Sequence, residues 1–221
     1  MKFIFLGHAC FQIDTGKEKL LFDPFLIGNG LAEEAASKVE CDYIFLSHAH
    51  ADHFGDAIAI AERTGAKVIA IPEVIGLFPK TVINFQPMNL GGTFTAPFGK
   101  VKMVQAIHSC GVAGGIPCGF VLSFNDGLTL YFAGDTALFG DMKLFGELFD
   151  IDYAVLPIGD NYTMGPKDAI LAAKFLKTKK VIPVHYNTWP VISQNPEEFK
   201  KAAARENVSV VVVKPGESVE L

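Results

Sequence analysis

Three histidines and two aspartates fall within nine consecutive positions of the segment FLSHAHADHFGD, which runs from Phe45 to Asp56. The whole chain has only six histidines. Closely spaced imidazoles gain little in a solvent-exposed loop unless they bind something, whereas imidazole nitrogens and carboxylate oxygens are common ligands of divalent metals. The spacing H-x-H-x-D-H therefore predicts a metal site that includes His48, His50, Asp52 and His53.

The segment follows DYIFL, an apolar run that predicts a buried strand and hence a rigid base for a site. Successive side chains of an extended chain alternate between its two sides, so we expect His48, His50 and Asp52 to share one side. His53 then follows as the chain turns into a helix. The alternative is a helix N-terminus at which Asp52 caps the backbone and the histidines only contact water.

Six residues cannot surround a cation, so further ligands must come from elsewhere in the chain. His108, Asp135 and His185 each follow a strongly apolar run, in VQAIHSCG, YFAGDTALF and VIPVHYNTW. A single His or Asp after a strand is as often a turn residue as a ligand. Because His48 occupies the same kind of position, we expect the four residues to belong to one site.

The elements that must position these residues alternate through the chain. The predicted strands are KFIFL, CFQID, KLLFD, DYIFLSH, AKVIAI, VINFQPM, FTAPFG, KVKMVQAI, CGFVLSF, LTLYFAG, YAVLPIG, KVIPVHY and VSVVVV. The predicted helices are AIAIAERTG, PEVIGLF, LFGDMKLFGELF, KDAILAAKFLKT and PEEFKKAAARE. Two sheets back to back with helices on their outer faces would use all of them in one layered domain.

Several of these segments resemble motifs of the metallo-β-lactamase superfamily. They are GHACF, DPFL, SHAHADH, AGDTALF, LPIGDNYTMGP and PVHYNTWP, and they extend over nearly the whole chain. The resemblance is greatest to an uncharacterised metal-dependent hydrolase branch related to L-ascorbate-6-phosphate lactonase. It implies an α/β (α+β) fold, a four-layer αββα sandwich, that forms a single domain over residues 1–221.

The resemblance also implies a dinuclear site and assigns its ligands. One metal would be held by His48, His50 and His108, the other by Asp52, His53 and His185, with Asp135 between them. Asp23, in DPFL, would support the ligands from behind; the alternative is a strand-ending Asp before a proline. The cofactors implied are two divalent ions, with Zn²⁺ favoured and Mn²⁺, Fe²⁺, Co²⁺ or Ni²⁺ left open by this donor set.

The activity implied is hydrolysis of a small ester, lactone or phosphoester by a metal-bound bridging hydroxide, with Asp52 and His53 as the catalytic residues and Asp52 sharing the proton. Redox relatives of this fold typically carry Glu where this chain has His50, which weighs against an oxygen-reducing di-iron role. One alternative is an RNA-processing nuclease of the same superfamily, and another is a metal-binding regulatory protein without catalysis.

Two further segments are expected to support the ligands or contact substrate. His8 lies in GHACF, and the alternative for it is a structural histidine. The loop Gly159–Gly165 brings Asp160, Asn161 and Thr163, and the alternative is a capped loop in which Pro166 begins a helix.

Composition limits the partners. Hydrophobic residues make up 50% of the 221 residues, charged residues 19%, and the formal net charge is −5. This acidic balance, without a basic tract, is unlike a protein that binds nucleic acid through phosphate contacts. With neither a signal-peptide pattern nor a long apolar run, we expect a cytoplasmic protein without a membrane partner, with a small-molecule substrate and reduced, buried cysteines; a homo-oligomer is open.

Overall fold

The structure, a computed structural model, describes residues 1–31 and 36–221. It divides the chain into two compact units, each containing one β-sheet. Unit 1 comprises Met1–Gly92, Ser109–Pro117 and Val213–Leu221, and unit 2 comprises Thr93–His108 and Cys118–Val212.

Unit 1 contains a mixed seven-stranded sheet of order β13-β1-β2-β3-β4-β5-β6. Strands β13, β1, β2 and β3 pair antiparallel, and β3 to β6 pair parallel. The strands are β1 Lys2–Gly7, β2 Cys10–Asp14, β3 Lys19–Phe22, β4 Tyr43–Phe45, β5 Lys67–Ala70, β6 Phe85–Pro87 and β13 Ser218–Glu220. The helices are α1 Ala51–Phe54, α2 Ala57–Thr64 and α3 Pro72–Ile75.

A row of stacked aromatic rings crosses four adjacent strands of this sheet. The ring centroids of Phe3 and Phe11 lie 4.9 Å apart, those of Phe11 and Phe22 4.4 Å, and those of Phe22 and Phe45 4.5 Å. All four side chains are fully buried. Cross-strand aromatic pairs stabilise a sheet beyond the burial of their area, so the ends of β3 and β4 rest on a rigid support.

Unit 2 contains a mixed six-stranded sheet of order β12-β11-β10-β9-β8-β7. Strands β7 to β10 pair antiparallel, and β10, β11 and β12 pair parallel. The strands are β7 Thr93–Ala96, β8 Gly99–Gln105, β9 Cys118–Phe124, β10 Thr129–Phe132, β11 Tyr153–Pro157 and β12 Lys180–Val184. The helices are α4 Met142–Leu148, α5 Pro166–Leu176 and α6 Pro196–Arg205.

Strand direction explains where the candidate residues gather within each unit. In unit 1, Asp23 follows β3 and His48 follows its parallel neighbour β4. In unit 2, Asp135 follows β10 and His185 follows β12, and these two strands run parallel. His108 follows β8. Strand β8 runs in the same direction as β10, because both pair antiparallel with β9. Since the carboxyl ends of parallel strands meet at one edge of a sheet, each unit collects its candidates at one edge.

In the C-terminal part, one predicted strand is absent from its expected place and one observed strand was not predicted. VSVVVV was predicted as a strand, but within it only Val210 forms a bridge, to Val181 of β12. The chain leaves unit 2 after Val212, so the segment does not continue along the sheet. Strand β13, at residues 218–220, was not predicted because GESVE is short and polar; its pairing with β1 defines it.

The prediction about the cysteines was correct. All four cysteines are buried free thiols, as their scattered spacing indicated. Pro166 occupies the first turn of α5. In the described ranges, no helix has both the length and the apolar character needed to cross a bilayer.

Candidate metal centre

The His48–His53 segment of unit 1 is extended only as far as His50. His50 has φ −63° and ψ 148°, and its carbonyl oxygen then accepts hydrogen bonds from the amides of His53, at 3.0 Å, and Phe54, at 2.8 Å. The prediction that Asp52 continues the extended chain was therefore wrong, because these bonds close the single turn of α1 around it. Asp52 does not cap the helix either, since no side-chain bond is formed at that N-terminus.

Asp23 is a fully buried carboxylate that accepts three hydrogen bonds at the end of β3. Its Oδ1 accepts from the Ser47 amide at 2.8 Å, and its Oδ2 accepts from the Ser47 hydroxyl at 2.5 Å. Oδ2 also lies 2.7 Å from Nδ1 of His53. Because a carboxylate only accepts, the His53 proton must lie on Nδ1, which leaves the Nε2 lone pair available for a metal.

The same carboxylate reaches His48 through Ser47. The Ser47 hydroxyl has one hydrogen and donates it to Asp23, so its oxygen must accept from Nδ1 of His48, 2.8 Å away. His48 therefore also carries its proton on Nδ1, with Nε2 as the lone-pair nitrogen. Sequence analysis assigned no role to Ser47; its position between a buried strand and the first histidine was the available signal.

The Nε2 atom of His48 faces His50. It lies 2.9 Å from Nδ1 of His50, and on the other side of that ring Nε2 lies 3.2 Å from the hydroxyl of Ser109. A β-carbon at Gly111 would lie 2.8 Å from Cδ2 of His50, so only glycine leaves the ring its place. Sequence analysis missed both Ser109 and Gly111 as supports of His50.

His8 lies at the tight turn between β1 and β2, where Gly7 has φ +95° and His8 has φ +56°. The ring is fully buried, and its Nε2 lies 3.1 Å from Oδ2 of Asp52. His8, Asp52 and His53 each offer one ligand atom within 4.8 Å of the others. A left-handed backbone is costly for a non-glycine residue, so this turn is a strained one that aims an imidazole at Asp52.

In unit 2, Asp135 lies between two histidines. Its Oδ2 lies 3.0 Å from Nε2 of His185 and 3.7 Å from Nε2 of His108. Asp135 and His185 are both buried. The hydroxyl of Thr136 accepts a hydrogen bond from the Ile107 amide at 3.0 Å, which joins the turn after β10 to the end of β8 and so brings Asp135 near His108.

The loop Gly159–Gly165 packs beside these residues. A β-carbon at Gly159 would overlap the carbonyl oxygen of His185 and lie 3.3 Å from its Nδ1. The Met164 amide donates to the carbonyl of Thr136 at 3.0 Å. Asp160, with φ +63°, accepts from the Asn161 amide through Oδ1 at 2.8 Å, and the Thr163 hydroxyl donates to the Met164 carbonyl at 3.3 Å. The loop thus holds its own shape beside His185.

Comparisons with known proteins show the family of this chain. A family model described as a beta-lactamase superfamily domain matches residues 13–186. The chain belongs to the metallo-β-lactamase superfamily. It is 46% identical over its full length, and over the full length of the relative, to a UPF0173 metal-dependent hydrolase of Natranaerobius thermophilus. A UPF0173 metal-dependent hydrolase of Pelotomaculum thermopropionicum shares the same identity and full coverage of both chains.

A solved structure supports the same assignment. It is Igni18, described as a metallo hydrolase from the hyperthermophilic archaeon Ignicoccus hospitalis. The two chains are 36% identical with a TM-score of 0.91, over 99% of this chain and 97% of the other. The α/β metallo-β-lactamase fold predicted from the sequence is confirmed, and this member of the superfamily is a metal-dependent hydrolase.

The side chains of this superfamily member fit a divalent metal. Ligand nitrogens about 2.0–2.1 Å from a tetrahedral zinc lie roughly 3.3 Å from one another. The pairs His48 Nε2 with His50 Nδ1, at 2.9 Å, and His185 Nε2 with Asp135 Oδ2, at 3.0 Å, are near that spacing. Burial and the Asp23 carboxylate raise the pKa of the Cys10 thiol well above its usual value, which disfavours the thiolate form.

Proposed function

We propose that this hydrolase binds two divalent ions, with Zn²⁺ as the first candidate, and cleaves a small ester, lactone or phosphoester. The observation that carries the proposal is the position of Asp135 Oδ2, 3.0 Å from Nε2 of His185 and 3.7 Å from Nε2 of His108. The superfamily pattern gives these histidines to different ions, and one carboxylate oxygen near both nitrogens suits a bridging ligand.

The remaining ligands follow the same pattern. We assign one ion to His48, His50 and His108 and the other to Asp52, His53 and His185. The tautomers of His48 and His53 support the assignment of these two ligands in unit 1. Asp23 is hydrogen-bonded to Nδ1 of His53 directly and to Nδ1 of His48 through Ser47, so Nε2 of each ring carries the lone pair. A ring fixed in that form binds a metal without first moving a proton.

Bound divalent ions supply Lewis-acid polarisation of the scissile group and a more acidic water. The chain's own part is to orient and to move protons. Asp52 is 24% exposed in its side chain, and its Oδ2 accepts the proton that the attacking water loses. His8 Nε2, 3.1 Å away, holds that oxygen in place, and His53 Nε2 lies 3.8 Å from it. Two imidazoles thus flank one proton-accepting atom.

Substrate contacts are assigned to the loop after β11. Asp160 and Asn161 are exposed, and Thr163 is half-buried, on a loop that packs beside His185. Because the loop is held by its own hydrogen bonds, its side chains would meet a substrate without a large rearrangement. The partner is then a small molecule, and the acidic balance of the chain still argues against RNA.

Metal content and turnover should be measured together on the wild type, His50→Ala and Asp135→Ala, with lactones, esters and phosphodiesters as substrates. We expect about two ions per wild-type chain, and loss of metal and of activity in both variants. Asp141→Ala is the matched control, because Asp141 is an exposed carboxylate that makes no capping bond at α4. A folded wild type that binds no metal would overturn the proposal.

The nuclease alternative has its own test. The net charge of −5 gives little electrostatic attraction for phosphate groups, so we expect no shift of a transfer-RNA precursor in a gel at physiological salt. A salt-dependent shift accompanied by cleavage of its 3′ end would replace the small-molecule proposal. Size-exclusion chromatography of the same samples would test whether the chain forms a homo-oligomer.

A further inference from the structure

Unit 2 contains a surface cavity of about 800 Å³ that is widely open to solvent, in the segment that follows β12. It lies within the size range of small-molecule sites. The lining comes from the loop after His185 and from Pro196, the first residue of α6. It includes Asn187, Thr188, Trp189, Ser193, Gln194 and Asn195. This segment contains a 3-10 turn at Pro190–Ile192.

The cavity wall is attached to the backbone around His185. The Gln194 side chain donates to the carbonyl of Gly159 at 3.3 Å, and Gly159 is the residue that packs against the carbonyl and ring of His185. Asn187 closes the loop, since its amide donates to Ile192 at 3.0 Å and its Oδ1 accepts from the Gln194 amide at 2.8 Å. The cavity is therefore a fixed extension of the region beside a proposed ligand.

The lining is polar without charge. Its side chains are amides, hydroxyls and an indole, with two prolines, and among the described residues that line it none is acidic or basic. Trp189 exposes 37% of its surface. An indole offers a flat apolar face, while amide and hydroxyl groups both donate and accept hydrogen bonds. This combination suits a ring that carries several hydroxyl groups.

Two backbone amides at the N-terminus of α6 already have a hydrogen-bond partner. The N-terminus of α6 would favour a phosphate, but the Asn195 side chain accepts from the amides of Glu197, at 3.0 Å, and Glu198, at 3.2 Å. Both glutamates lie in the first turn.

We infer that this cavity binds the uncharged, hydroxylated part of the substrate, stacked on Trp189, and that it disfavours a phosphate group there. The inference deepens the proposed function and rests on it, because it names the chemical class of the group attached to the cleaved bond. The inference also favours a neutral polyhydroxylated lactone or ester as the substrate, over a lactone or ester whose phosphate group would lie in this cavity.

Trp189 is the only tryptophan in the chain, so intrinsic fluorescence reports directly on this cavity. The full-length, metal-loaded protein should be titrated with three probes built on one ring: 1,5-anhydro-D-glucitol, its 6-phosphate, and tetrahydropyran. 1,5-Anhydro-D-glucitol and tetrahydropyran contain no bond that the enzyme is proposed to cleave. The 6-phosphate is a phosphoester, so release of inorganic phosphate is measured during its titration. We expect a saturable change with 1,5-anhydro-D-glucitol, and at least tenfold weaker binding of the other two.

A Thr188→Val/Ser193→Ala double variant should weaken binding of 1,5-anhydro-D-glucitol at least tenfold while Trp189 remains as the reporter. Ser209→Ala is the matched control, since Ser209 is exposed and does not line the cavity. Equal or tighter binding of the 6-phosphate, or no saturable change with any probe, would overturn the inference.

Hydrolysis of the ester and lactone panel on the same samples separates the two proposals. Turnover without saturable fluorescence would overturn the cavity assignment and leave the hydrolase intact. Saturable fluorescence with no turnover of any substrate would support the cavity and count against the proposed reaction.

Discussion

Asp23 Oδ2 lies 2.7 Å from Nδ1 of His53, and both side chains are fully buried. The same oxygen accepts the Ser47 hydroxyl, which in turn accepts from His48. One carboxylate at the end of β3 therefore sets the tautomer of two histidines, His48 in the segment after β4 and His53 in α1. Histidines that bind metals commonly donate their other ring nitrogen in this way, and the partner affects affinity strongly.

Asp23→Asn should weaken metal binding by about 10–100-fold. Asn fits the left-handed backbone at this position, φ +41°, so the fold should survive. Its amide nitrogen, however, can replace the oxygen that faces His53, which would force the ring proton onto Nε2. Competition with a chelator would measure the affinity. Asp56→Asn is the control, because Asp56 binds the amides of Leu26 and Ile27 and no histidine; equal losses in both variants would contradict the prediction.

Ser47→Ala should weaken metal binding through His48 alone, by about tenfold, since the direct bond from Asp23 to His53 is kept. Combined with Asp23→Asn, it should add less than its separate effect, because both changes interrupt the same chain of hydrogen bonds. A double-mutant cycle on metal affinity would measure this coupling. Strictly additive losses would show that Ser47 acts independently of Asp23.

Gly159→Ala should lower kcat/KM more than tenfold and reduce the free energy of unfolding by about 1–3 kcal/mol. The added methyl group would overlap the carbonyl oxygen of His185 and lie 3.1 Å from Cβ of Ile192, so the residues around His185 must shift. Gly140→Ala has open space and should change neither quantity beyond a few tenths of a kcal/mol. Steady-state kinetics and urea unfolding would compare the two, and a Gly159→Ala protein with wild-type kinetics would refute the steric account.

Stability should fall at alkaline pH, in part through Cys41. Burial raises the pKa of its thiol from 9.0 to about 11. Above pH 9 the unfolded chain loses this proton before the folded one does, so the contribution is fully present below that pH and is lost as the pH rises towards 11. The loss is at most about 1.4 kcal/mol per pH unit. Urea unfolding at pH 8.5 and 10.5 should show a smaller drop for Cys41→Ala than for the wild type, and identical drops would exclude the thiol as a cause.

The sequence determined the type of fold and the predicted metal ligands. Apolar runs at strand spacing, each followed by a His or Asp, can be recognised without coordinates because burial and ligand chemistry both restrict residue type. The dense H-x-H-x-D-H spacing predicted its four residues as members of one metal site. Segments such as VSVVVV and residues 218–220 were assigned wrongly or missed, because strand pairing depends on a partner distant in the chain.

Only the tertiary structure decided how the predicted ligands are held within each unit. Asp23 and His53 are 30 residues apart in the chain, and Gly159 and His185 are 26 residues apart. No local sequence pattern therefore predicts that these residues are in contact. The chain of hydrogen bonds from Asp23 through Ser47 to His48 forms because β3 and β4 become neighbours in the sheet. Hydrogen bonds and steric contacts depend on the distances between atoms in the folded protein, and these distances cannot be obtained from the sequence alone.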